Sequence, residues 1–179
     1  GADAVRLFIL SDSPPEKDVQ WSEEGIVSSF KFVQKLWNLN TKILQEIKKN
    51  HKTDKDEELK KFTNRLIKKV TDNLENFSYN KIVANLHEMY SFISKQIENN
   101  YTKKTLFESY NNILILMSPV MPHFANECLE ILKSENKNKW PIYDEKFIED
   151  ESINVVIQIN GKKRGLLNLK KDADEKELL

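Results

Sequence analysis

What most constrains this chain is a series of apolar stripes that recur at steps of three and four residues and are cut by short polar breaks. That period places side chains on one face of an α-helix. Ser22 is a good N-cap, with Glu23 and Glu24 behind it in the first turn where the helix dipole favours anions. It opens a long helix reaching to about Lys49, with Ile26, Phe30, Val33, Trp37, Leu44 and Ile47 as the expected inner face. Polar residues 50–56 break the stripe, and Thr53 or Asp54 can cap a second helix carrying Leu59, Phe62, Leu66, Val70 and Leu74. After Phe77, Ser78 or Asn80 restarts the pattern for Ile82, Leu86, Met89, Ile93 and Ile97. Another helix is signalled by Leu106, Tyr110, Ile113, Leu114 and Met117. Pro119 and Pro122 stop it, and Pro122 suits the first turn of a last helix with Phe124, Cys128, Leu129 and Leu132. Upstream of all these, residues 2 to 10 form an apolar helical pattern, ended by the Ser11-Asp12-Ser13-Pro14-Pro15 stretch. Short polar connections between amphipathic helices predict antiparallel neighbours. The expected fold class is therefore mainly α, an antiparallel helical bundle.

Past Lys133 the period changes. Ser134 to Lys139 is polar, Trp140-Pro141 punctuates, and Glu145 to Glu151 is acidic. Ile153, Val155, Ile157 and Ile159 then alternate with Asn154, Val156 and Gln158, which is a strand pattern. Asn160-Gly161 is a strong signal for a two-residue hairpin turn, because both central positions need positive φ. The return strand runs through Leu167 and Leu169, and Asp172 to Glu175 has a capping-box spacing for a following helix. This is a short, incomplete β-hairpin/α unit, and a lone hairpin is marginal in water. Both ends read as cut from something longer: Gly1 enters a helical pattern without an initiating Met, and Asp174 to Leu179 reads as a helix left after one turn.

Chemistry is conspicuous mainly by the patterns that cannot be written. Cys128 is the only cysteine, which removes intramolecular disulfides and multi-cysteine zinc sites. It lies on an apolar stripe, as a small core residue would. His51, His87 and His123 are far apart, and His87-Glu88 lacks a second histidine four residues on. With Gly1, Gly25, Gly161 and Gly165 as the only glycines, no phosphate-binding glycine loop exists. No catalytic residue and no metal site is expected. No apolar run approaches the ~20 residues that cross a bilayer, so the expectation is a soluble, cytoplasmic protein without membrane contact. Trp21 and Trp37 have apolar neighbours and read as packing residues.

Charge is balanced, with Lys+Arg and Asp+Glu both at 28. Any polyanion must therefore be drawn by local patches. The sharpest is Lys162-Lys163-Arg164, displayed just after the hairpin turn, where each cation that meets a phosphate releases condensed counterion. An edge hairpin kept soluble by lysine is the plainer reading of the same residues.

Several stretches together resemble the C-terminal part of the bacterial-type leucyl-tRNA synthetases, a class I aminoacyl-tRNA synthetase family. Gly1-Ala2-Asp3-Ala4-Val5-Arg6-Leu7-Phe8 is similar to the segment that follows the lysine-rich signature loop of this class. Ser13-Pro14-Pro15-Glu16-Lys17-Asp18-Val19-Gln20-Trp21 resembles the family's connector, and Phe32-Val33-Gln34-Lys35-Leu36-Trp37 its first long bundle helix. Ser118-Pro119-Val120-Met121-Pro122-His123 resembles a turn near the end of the bundle. Val156-Ile157-Gln158-Ile159-Asn160-Gly161-Lys162-Lys163-Arg164-Gly165 resembles the motif that separates leucyl enzymes from their relatives. Lys163 departs from the family's usual apolar residue, and the tryptophan usual after Pro122-His123 is missing.

The resemblance implies three segments: residues 1–20 as the end of a stem-contact region, 21–135 as an anticodon-binding helical bundle, and 136–179 as a linker with the truncated start of a C-terminal β-β-α domain. It implies an enzyme, a leucine-tRNA ligase, whose catalytic motifs lie upstream. ATP and leucine would be used there, with no cofactor held by this piece. The implied partners are tRNA(Leu) and the rest of the parent synthetase chain, with the whole a monomer. Candidate tRNA-binding residues are Lys162, Lys163 and Arg164, then Arg6, Lys31 and Lys35, which flank the matched motifs. A helical protein-interaction or scaffold module without RNA binding is the alternative.

Overall fold

The computed structural model describes residues 1–12, 14, 16–49, 55–99, 101–137, 139–148, 152–159 and 162–170, the last two stretches through their backbone. Six α-helices run in order: α1 (Ala2–Asp12), α2 (Glu23–Ile47), α3 (Asp56–Glu75), α4 (Tyr79–Gln96), α5 (Lys103–Met117) and α6 (Pro122–Leu132). Single 3₁₀ turns follow at Ile97–Asn99 and Glu145–Phe147, and the strands β1 (Ser152–Ile159) and β2 (Lys162–Lys170) close the described chain. The mainly helical bundle with a terminal hairpin is the architecture the apolar periods predict.

Helix α5 sits at the centre. Its run Ile113-Leu114-Ile115-Leu116-Met117 is apolar on every side, and all five residues are buried. This last stretch has no polar face and lies in the interior, whereas the first half of the helix keeps Lys103, Lys104 and Glu108 exposed. Helix α5 packs on α3, α6 and α2, while α1 packs on α2, α4 and α6 and contributes Leu7 to the shared core. Phe8 of α1 lies over Gly25 of α2, where an added Cβ would come within 2.5 Å of the ring, so the close approach of these helices needs glycine. Trp21 meets the same ring edge-on at 5.7 Å.

The ends of α5 carry backbone groups that need partners. Thr102 caps the start of α5, its hydroxyl accepting from the Thr105 amide at 3.3 Å. Asp56, the first residue of α3, reaches across to the same place. Its carboxylate accepts from the Thr102 amide at 2.9 Å, from the Thr105 hydroxyl at 2.6 Å, and from the Thr102 hydroxyl. The residues that were expected to cap α3, Thr53 and Asp54, lie outside the described residues. Ser78 holds the N-cap position of α4 without a side-chain cap bond. Ser22 behaves as its sequence position predicts, accepting from Gly25 at 3.1 Å.

The turn between α5 and α6 is served from α1. Pro122 occupies the first turn of α6 as expected, but Met121 at the N-cap has no acceptor to offer. Asp3 supplies it, its buried carboxylate accepting from the Phe124 amide at 2.6 Å and the His123 amide at 3.4 Å. Three residues on, Arg6 donates from Nε to the Val120 carbonyl at 3.1 Å and from Nη2 to the Pro119 carbonyl at 2.7 Å. One α1 face thus presents an anion to the N-terminus of α6, as the helix dipole favours, and a cation to the carbonyls of the turn that leads into it.

In α2 the structure corrects the expected inner face. The buried side is Phe32, Leu36, Leu39, Ile43 and Ile47, with Asn40 accepting from the Tyr110 hydroxyl at 2.8 Å. Only Ile47 belongs to both stripes, and Phe30 and Trp37 remain 47% and 42% exposed. Val33 and Leu44 of the expected face pack partly buried against the core, so the period was legible but the rotation was off by part of a turn.

The hairpin pairs antiparallel from Ser152 opposite Lys170 to Ile159 opposite Lys162. A β-bulge interrupts it: Ile157 faces Gly165 and Gln158 faces Lys163, so Arg164 has no partner across the ladder. The Asn160-Gly161 turn and the helix expected after Asp172 lie outside the described residues.

Two stability measurements check these ties. Asp3→Ala leaves the α6 N-terminus without its acceptor and should cost about 1–2 kcal/mol in chemical denaturation; an unchanged midpoint would refute the cap. Burial pushes the Asp56 carboxyl up, but the hydrogen bonds from Thr102 and Thr105, with nearby Lys60, outweigh it and hold the group below the ordinary 3.8. A carboxyl held low stabilises above its unfolded value and loses that contribution as pH falls through the lowered one. Asp56→Asn should therefore cost on the order of 1 kcal/mol at pH near 7, allowing for partial solvent exposure. The gap to the native protein should close below 3.8, and an equal gap at acid and neutral pH would contradict the network.

Candidate nucleic-acid interface

A third face of α2 is polar and cationic. Lys31, Lys35, Asn38, Lys42 and Gln45 follow one another at steps of four and three, so they form one stripe, and all five are exposed. From Lys31 to Lys42 it covers about 16 Å of helix. Part of it lines a groove of about 500 Å³ between α2 and α4, where Lys35, Asn38, Thr41 and Lys42 face Tyr90 and Ser94. No carboxylate lines this groove. Among the described residues, none of Lys31, Lys35 and Lys42 is in an ion pair.

His87 of α4 borders the same face. It stacks on Phe32 with ring centroids 3.8 Å apart and planes 25° apart. Burial pushes its pKa down, and the Lys35 charge pushes it further the same way, so the imidazole stays neutral at neutral pH. A neutral ring against apolar carbon suits the stack. The positive charge of this face is thus carried by the lysines alone.

The neighbouring groove between α3 and α4 shows what a self-neutralised surface looks like. It holds about 310 Å³ around the stacked rings of Phe62 and Phe92, 3.8 Å apart and nearly parallel. Lys61, Arg65 and Lys69 share it with Glu58 and Glu88, and Lys69 bridges Glu88 at 3.0 Å. Opposite charges at contact distance leave little field for a distant polyanion. Although the tighter of the two, it is the weaker candidate for a phosphate backbone.

The sequence candidates fall into three groups. Arg6 is committed to the Pro119 and Val120 carbonyls and acts as a structural tie. Lys31 and Lys35 lie on the unpaired cationic face of α2. Lys162, Lys163 and Arg164 open β2, and the bulge falls among them. Lys42 was missed, although its spacing of seven from Lys35 places it on the same face, and Tyr90 across the groove was missed with it. Trp21 and Trp37, read as packing residues, each meet one phenylalanine edge-on, Phe8 and Phe124 at 5.7 Å and 6.1 Å, and both keep solvent contact.

Among the described residues, no group of three His, Cys, Asp or Glu side chains could hold a metal. The buried Cys128 thiol is pushed up to about 12, chiefly by burial, and is no nucleophile. No helix among the described residues is long and apolar enough to cross a membrane.

Comparison with known proteins agrees with this picture of a binding body. Residues 56–179 match the family model described as the anticodon-binding domain of tRNA ligase. Leucine-tRNA ligase of Orientia tsutsugamushi is 39% identical over 99% of this chain, and that of Thermotoga maritima is 32% identical over 99%. The chain spans 21% and 23% of those two proteins. Its fold matches a LeuRS of Agrobacterium radiobacter K84, solved in a ternary complex with tRNA and LeuAMS, at a TM-score of 0.83. Identity there is 21%, over 99% of this chain and 24% of that one. The chain belongs to the family of anticodon-binding domains of tRNA ligases.

Proposed function

We propose that this chain is the part of a leucine-tRNA ligase that docks tRNA(Leu), while a domain elsewhere in the longer protein activates leucine with ATP and esterifies it to the tRNA. The observation that carries the reading is the α2 face of Lys31, Lys35 and Lys42, unpaired and bordered by amides, hydroxyls and Tyr90, in a chain of this family. Lysines are point charges without the bidentate geometry of arginine, and phosphate contacts position an RNA whereas base edges specify it. Such a face holds the body of a folded RNA by shape and charge. The cationic start of β2, Lys162 to Arg164, would add a second grip on the backbone. ATP and leucine are bound elsewhere, no cofactor is needed by this part, and the working compartment is the cytoplasm, where tRNA is charged.

Binding of labelled tRNA(Leu) to the full-length protein at several salt concentrations tests the reading. Removing three phosphate contacts in Lys31→Ala/Lys35→Ala/Lys42→Ala should flatten the log-log salt dependence by about 2–3, at roughly 0.7–0.9 per contact. Lys162→Ala/Arg164→Ala should flatten it further, and ATP-pyrophosphate exchange with leucine should be untouched by either. An unaltered salt slope in both variants would overturn the docking assignment and favour a protein-interaction module.

A further inference from the structure

The apolar stripe of α2 at the edge of the core, with Val33 partly buried against it and Phe30 and Trp37 still exposed, is the least explained surface among the described residues. Phe30, Val33 and Trp37 lie at steps of three and four, roughly a quarter turn or more from the buried stripe. They floor an open groove of about 510 Å³ whose far side is Phe124 and His123 of α6. Trp37 meets Phe124 edge-on at 6.1 Å, so the rings already form one surface. Phe30 and Trp37 are nonetheless 47% and 42% exposed. Contiguous aromatic surface of this kind marks a contact still to be made, unlike scattered single exposures.

Gly1 and Ala2 form the groove's end wall. An added Cβ at Gly1 would meet no atom within 4 Å, so the space in front of it is open. Asp3 and Arg6 bind this end of α1 to the α5–α6 turn, so any preceding residue joins the chain beside this groove. The leucine-tRNA ligases matched above are four to five times as long as the matched part. The groove contains no lysine or arginine, and Glu127 stands on its rim. It therefore suits apolar protein and repels a phosphate backbone.

We propose that this groove seats the polypeptide that immediately precedes Gly1 in the full-length protein, apolar side chains of that segment covering Phe30, Val33, Trp37 and Phe124. The groove then acts as an interdomain seam: it sets the angle between the bundle and the upstream body, on a different face of α2 from the lysines. This assignment does not depend on tRNA docking, and either can fail alone.

The test uses the full-length protein with p-benzoyl-phenylalanine in place of Phe30, irradiated and mapped by mass spectrometry. The expected product is a cross-link within one chain to residues preceding Gly1, in a yield independent of protein concentration. Cross-links between two copies, or to RNA when tRNA is present, would overturn the proposal, as would no cross-link beyond residues 1–179. Hydroxyl-radical footprinting of the unmodified protein guards against a misfolded variant. Relative to its own rate in the unfolded chain, Trp37 should be protected several-fold more than Phe77, which is 65% exposed. Equal protection would also overturn the seam.

Discussion

The bundle depends on the burial of α5. The five consecutive apolar residues Ile113 to Met117 leave the C-terminal part of α5 with no side to offer water, so other helices must surround it there. That burial carries a cost at the termini, because unpaired amides and carbonyls taken from water are expensive. Carboxylates from other helices serve the amides: Asp56 of α3 at the start of α5, and Asp3 of α1 at the start of α6. Arg6 takes the carbonyls that neither can serve. The two carboxylate ties each join the first turn of one helix to the N-terminus of another, so capping and tertiary packing are the same interaction.

This accounts for two of the family-like stretches in physical terms. The Gly1 to Phe8 segment and the Ser118 to His123 segment are more than a hundred residues apart in sequence, yet they meet through Asp3, Arg6, Pro119, Val120 and the His123 and Phe124 amides. What looked like two independent motifs is one joint. Arg6 belongs to that joint, which is why an arginine in a recognisable segment need not be a ligand for RNA.

Helix existence and order were legible because each stripe in the sequence has one dominant period, and Ser22 and Pro122 marked starts correctly. The rotation of α2 was not legible, because Phe30-Val33-Trp37 and Phe32-Leu36-Leu39 satisfy the same period and only contact with α1, α4 and α5 selects between them. Nor were the caps from Asp3 and Asp56, since a side chain that caps a remote helix leaves no local spacing to read. The bulge at Arg164 did leave a trace: Gly165 inside an alternating strand is the usual mark of one. For the candidate interface, Lys31 and Lys35 were found beside a motif, while Lys42 needed the stripe itself, which emerges once the buried face of α2 is fixed.

Helix α2 therefore shows three chemically distinct faces: Phe32 to Ile47 on the core, the exposed Lys31, Lys35 and Lys42 for which we propose RNA, and Phe30, Val33 and Trp37 for which we propose upstream polypeptide. Opposite chemistry on adjacent faces of one rigid element would let the bundle hold a polyanion at a set angle to the body that reacts with it. The most direct measurement is a cryo-EM reconstruction of the full-length protein with tRNA(Leu) bound. The account predicts RNA backbone density along Lys31, Lys35 and Lys42, and protein density over Phe30 and Trp37. RNA on the aromatic face, or solvent on the lysine face, would contradict it.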